Sequence, residues 1–174
     1  MLEGIITMIH KALKAFKVLL LGGKPVSAML RYCVAASVEH TDLLRRLDCG
    51  HVVDIGANVG QFALISRKCF PDARIDSFEP LTEPADRYEK VFAGDANTHL
   101  HRLALGASEG ETTIHVSQAD DSSSLLPIGK TQTDLFPGSA ERETRTIRVA
   151  PLDAVLSAQD IPSPALLKLD VQGV

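Results

Sequence analysis

Apolar residues in this chain follow two alternating rhythms. Short continuous apolar runs are bounded by glycine, proline or aspartate, and between them apolar positions recur every three to four residues. The runs His51–Ile55, Arg74–Phe78 and Leu100–Leu105 read as buried strands, with helices at Gln61–Cys69 and Ala85–Phe92 between them. Phe70-Pro71-Asp72 ends the first of these helices and Gly106 stops the third strand. Strands that alternate with helices predict an α/β fold with a doubly wound, mostly parallel sheet covered on both faces. After Gly106 the rhythm changes. Thr112–Ser117 and Thr144–Val149 alternate like half-exposed strands and predict an antiparallel pair carrying a polar loop that contains Ser122–Ser124. Asp153 is a plausible N-cap for a short helix to Ser157, and a last strand, Ala165–Leu169, leads into Asp170-Val171-Gln172-Gly173.

The first 49 residues read as a helical lead-in to a domain spanning 50–174. Ile5–Leu21 is apolar with Lys11, Lys14 and Lys17 at three-residue spacing, so the lysines share one side of a helix and Met8, Ile9, Leu13, Phe16 and Leu20 lie largely on the other. The lysines interrupt the apolar core and no small-residue cleavage site follows, which argues against a secretory signal. Two readings stay open. One is an interfacial helix that makes weak peripheral contact with a membrane or a partner through 5–21. The other, the commoner case, is an accessory helix laid across the domain. Gly22-Gly23-Lys24-Pro25 breaks this helix, and a second, interruptible helical pattern runs from Ser27 to Leu47.

Bulk properties narrow the partners. No stretch approaches the roughly 18 apolar residues needed to cross a bilayer. A formal charge of −4 provides no basic field for nucleic acid. Cys33, Cys49 and Cys69 are odd in number and lack CxxC spacing, so they read as reduced thiols of a cytoplasmic protein. His99 and His101 share a face of the third strand, but with no third ligand in view no metal site is assigned; Asp120-Asp121 is too short a run for calcium.

The chemistry concentrates at two strand ends. Residues 52–60 run from apolar strand into the turn Asp54-x-Gly56-x-Asn58-x-Gly60, and Glu79 closes the next strand, 23 residues after Gly56. An acid and glycine-spaced backbone delivered to a helix N-terminus are how α/β proteins hold nucleotides. A dinucleotide-binding G-x-G-x-x-G fails, since Asn58 and Gln61 stand where its second and third glycines belong, which disfavours a nicotinamide-dependent oxidoreductase. Asn tolerates left-handed backbone, so Asn58 can replace a turn glycine. Glu79 could accept hydrogen bonds from both ribose hydroxyls of an adenosine. Asp170, at a strand's carboxyl end, belongs at the mouth of the same site.

This spacing is similar to that of class I S-adenosylmethionine-dependent methyltransferases. The segments HVVDIGANVGQFAL, IDSFEPL, LHRLALG, DDSSSLLP, VAPLDAVL and LLKLDVQG resemble, in order, those of the FkbM methyltransferase family. The resemblance implies a Rossmann-like domain and an O-methyltransferase using S-adenosylmethionine, with a hydroxyl of a sugar or secondary metabolite as acceptor. It implies Asp54, Gly56, Ala57, Asn58 and Gly60 around the methionine portion and Glu79 on the ribose. Leu81, Ala104 and Leu105 then fall around the adenine, and Asp170 is the catalytic or acceptor-orienting carboxylate. The family pattern continues with a helix and further strands beyond Val174, so the resemblance also implies a truncated chain with an open sheet edge that self-association or a partner could cover. A non-catalytic remnant or partner-dependent nucleotide-binding module is the alternative.

Overall fold

The computed structural model describes residues 2–117 and 141–171, so Asp120-Asp121, Ser122–Ser124 and Gln172-Gly173 lie outside the described residues. Strands β1 (His51–Ile55), β2 (Arg74–Phe78), β3 (Thr98–His101) and β7 (Ala165–Leu169) form a parallel sheet in the order β3-β2-β1-β7. Every residue of β1 is buried, as expected of a central strand covered on both faces. Its register sets His51 beside Arg74 on one side and Ala165 on the other. Chain order reverses across β1: β2 and β3 extend to one side, whereas β7 adds on the other. A crevice opens at the carboxyl ends of strands where the order reverses in this way.

The period-two alternation of the strands sorts their side chains between two layers. Val52, Ile75 and Leu100 face helices α4 (Gln61–Cys69) and α5 (Thr82–Phe92), joined there by Val18 of α1 (Leu2–Leu21), Ala28 of α2 (Gly23–Tyr32) and Leu44 of α3 (Thr41–Leu44). Val53, Ile55 and Phe78 face the other layer, packing on Leu103, Ala150 and Leu156. That second layer contains a small sheet in the order β4-β6-β5, made of β4 (Ala104–Leu105), β5 (Gly110–Ser117) and β6 (Glu141–Ala150), together with α6 (Leu152–Val155). The expected antiparallel pair is β5 with β6. Arg145 on β6 ties it to α5 by pairing with Glu83.

Three boundaries differ from the sequence reading. The helical pattern over Ser27–Leu47 is broken: α2 ends at Cys33, whose left-handed φ of 55° stops it, and Val34 and Ala36 then run buried before a 3-10 turn at Val38–His40 leads into α3. The run Leu100–Leu105 is two strands in two different sheets. Arg102 turns outward to pair with Asp86 and Glu89, and Leu103 drops into the core between the strands. Asp153 does not cap α6; Pro151 occupies the N-cap and Asp153 lies in the first turn.

A buried polar cluster holds the base of the sheet. Asp76, inaccessible to solvent, accepts hydrogen bonds from His51 Nε2 (2.8 Å), His101 Nε2 (2.8 Å) and Arg74 Nε (2.6 Å). Burial alone pushes its carboxyl up, but the bonds from His101, Arg74 and His51 outweigh that and hold it well below the usual carboxylate range. A carboxylate depressed in the folded state contributes stability that is complete above its unfolded pKa of about 3.9 and is lost as the pH falls toward the folded value. Asp76→Asn is therefore expected to cost about 2–4 kcal/mol at pH 7 in urea unfolding. Its melting temperature should also fall less steeply than the wild type's between about pH 5 and pH 2.

Candidate active site at the carboxyl ends of the parallel strands

The turn after β1 is built from residues that can take left-handed backbone. Gly56, Asn58 and Gly60 have φ of 74°, 49° and 89°. Such angles cost a β-carbon-bearing residue roughly 1–2 kcal/mol, least for Asn. The Gly56 and Ala57 N–H groups both donate to Phe78 O, at 3.1 and 3.0 Å, which folds the turn over the end of β2. The two glycines also make room for neighbours. A Cβ on Gly56 would lie 2.1 Å from the Asp170 carbonyl oxygen, so only glycine lets the ends of β1 and β7 meet. On Gly60 it would lie 2.7 Å from the Phe92 ring and 2.8 Å from Tyr88, so this glycine seats α5 against the turn.

Glu79 joins this turn to the next one. Its Oε2 accepts from the Asn58 N–H and its Oε1 from the Leu81 N–H, each at 2.9 Å. The side chain is 6% exposed, which pushes its carboxyl up, and the two backbone N–H groups partly oppose that. Each oxygen keeps a lone pair beyond these bonds, and the group faces the cleft.

Alternation along β1 turns Asp54 toward the α4 layer, where it is fully buried behind the cleft wall rather than in it. Burial pushes its carboxyl up, with Lys168 pulling the other way. The Lys168 ammonium stands 3.0 Å from Asp54 Oδ1 and donates to Gly56 O at 2.8 Å, whereas Asp54 Oδ2 has no hydrogen-bond partner among the described residues. Lys168 also reaches 3.5 Å from the Asp170 carboxylate, whose side chain is 77% exposed at the cleft mouth.

These groups surround a cleft of about 400 Å³, within the size range of small-molecule sites. Gly56, Ala57, Asn58 and Glu79 form one end of its lining. Leu81, Ala104 and Leu105 contribute an apolar wall with Phe78 and Leu103, and Asp170 stands at the mouth. Asp54 and Gly60 are the two expected site residues that the structure leaves outside this lining. Sequence reasoning missed Lys168, Lys14, His40 and Phe62, all of which line the cleft. Lys168 had a signal, being a lone cation on an otherwise apolar strand two residues before Asp170. His40 stands alone in the sequence and gives no such signal; it sits edge-on to Phe62 with ring centroids 5.4 Å apart. His101 is engaged by Asp76, and no set of three His, Cys, Asp or Glu side chains placed to hold a metal occurs among the described residues.

An apolar wall, a buried carboxylate and a glycine-spaced turn meet at this one cleft. No curated protein matches the chain significantly. The family model described as the methyltransferase FkbM domain matches residues 54–174, from the turn acid at the end of β1 through β7. That span covers most of the chain and contains the whole strand-end constellation, and the chain belongs to the FkbM methyltransferase family.

Proposed function

We propose that the chain is an S-adenosylmethionine-dependent O-methyltransferase whose acceptor is a hydroxyl of a sugar or other secondary metabolite. Residues 50–174 are then the cofactor-binding domain and 1–49 its helical lead-in. The observation that carries this reading is the meeting of the Gly56–Gly60 turn with Glu79 on one side of a single cleft. The residues present fit the cofactor. Glu79, fixed by two backbone N–H groups, has lone pairs free for two ribose hydroxyls. Leu81, Ala104 and Leu105 offer an apolar surface to adenine. The Lys168 ammonium, which lines the cleft, supplies a positive charge for the carboxylate of the methionine portion.

S-adenosylmethionine supplies an electrophilic methyl group on a sulfonium. The protein's part is to align the acceptor and take up its proton. Asp170, at the mouth and facing Lys168, is the candidate to orient the hydroxyl and accept that proton. His40, which lines the cleft and packs edge-on to Phe62, is the second candidate.

Titration calorimetry tests the cofactor. S-adenosylmethionine should bind, and Glu79→Ala should weaken binding roughly tenfold or more, the loss expected for hydrogen bonds to a charged group. Because burial raises Glu79 above its ordinary value of 4.5, the affinity should begin to fall on acidification before the pH reaches that value. Absence of binding at millimolar ligand sinks the proposal. In a methyl-transfer assay across hydroxyl acceptors, Asp170→Asn should retain binding within about twofold yet slow turnover roughly a hundredfold or more. Binding by the wild type without turnover on any acceptor would point instead to a nucleotide-binding module.

A further inference from the structure

Helix α1 is attached to the protein by the wrong side for an accessory helix. A surface helix ordinarily turns its apolar stripe to the core and its charges to water. In α1 the attachment is made by Val18, which is fully buried, by Leu21, half-buried against the same core, and by Lys14, which pairs with Glu39 at 3.4 Å. Met8, Ile9, Leu13, Phe16, Leu19 and Leu20 occupy an arc of about 140° on the opposite side, at the 3.6 residues per turn of an α-helix. All of them are solvent-exposed, Phe16 at 58% and Leu20 at 73%. Lys11 and Lys17 flank that arc on its two sides, exposed and in no ion pair among the described residues.

We propose that α1 seats this protein on an anionic membrane surface. The helix lies in the plane of the interface, its apolar arc in the headgroup–acyl boundary and Lys11 and Lys17 against the phosphates. Two observations select this occupant over a second copy of the chain. The arc is too broad for the narrow a/d seam of a two-helix contact, which uses two positions in seven and would leave its edges wet. A cation on each edge matches an anionic headgroup plane, whereas two copies pairing through this face would bring like charges together. Crossing the membrane is not the mode, because no helix among the described residues is long and apolar enough to span it. The proposal does not depend on the cofactor or the acceptor.

Flotation of the full chain with vesicles tests it. The protein should float with vesicles of phosphatidylcholine mixed with phosphatidylglycerol, and roughly tenfold or more weakly with phosphatidylcholine alone. Leu13→Glu and Phe16→Glu change exposed positions and should abolish flotation while circular dichroism stays that of the wild type. Lys11→Glu with Lys17→Glu should remove the preference for anionic vesicles. Failure of the wild type to float, or unchanged flotation of Phe16→Glu, overturns the proposal. So does a wild-type dimer that Phe16→Glu converts to a monomer, since a second copy would then cover the face.

Discussion

A carboxylate shut away from water needs an answering charge, and the arrangement around Asp54 supplies it from another strand. Lys168 on β7 reaches across the seam to Asp54 on β1 and, with the same ammonium, holds the carbonyl of Gly56. Water-excluded charges interact strongly at such distances, and leaving either unpaired costs several kcal/mol. The pair therefore does more than join two strands. It fixes the start of the left-handed turn, of which Gly56 and Asn58 line the cleft, and it brings a cation within reach of Asp170. The seam is tightened further by the Asp170 N–H, which donates to Ile55 O, and by the absence of a side chain at Gly56.

Glu79 performs the matching task on the other flank of β1. By taking N–H groups from both the turn after β1 and the segment after β2, it makes the geometry of one depend on the other. Two acids with different surroundings thus support the cleft: Glu79 lines it, held by backbone N–H groups, and Asp54 lies behind its wall, paired with Lys168. Both carboxyls are shifted upward by burial, and a ligand that brings donors to Glu79 would relieve its cost.

Much of this frame could be read from the chain. The five-residue runs of β1 and β2, each ending in an acid or a glycine turn, fix strand ends through apolar periodicity alone, and Asn58 could be placed in left-handed backbone because its neighbours two residues away are glycines. Other features depend on contacts made late in the chain or far from it. The split at Arg102-Leu103 was hidden because Leu100–Leu105 is apolar enough to continue as one strand; the break comes from Asp86 and Glu89 on α5 drawing Arg102 outward. Lys168 was passed over because a lysine near a strand end ordinarily reaches solvent, and its partner sits on β1. Asp54 was expected around the methionine portion, and strand alternation sets it behind the cleft wall. For α1, amphipathicity was evident from lysine spacing, but periodicity cannot say which side meets the protein.

Lys14 belongs to two surfaces at once. It anchors α1 through Glu39, and both residues line the cleft. Part of the cleft lining is therefore carried by α1, which packs on the core through Val18 and Leu21. A ligand that engages Lys14 or Glu39 competes with their ion pair, and by thermodynamic linkage whatever shifts the helix changes that ligand's affinity by the same factor. Occupancy of the cleft and the seating of α1 are in this sense coupled through two side chains.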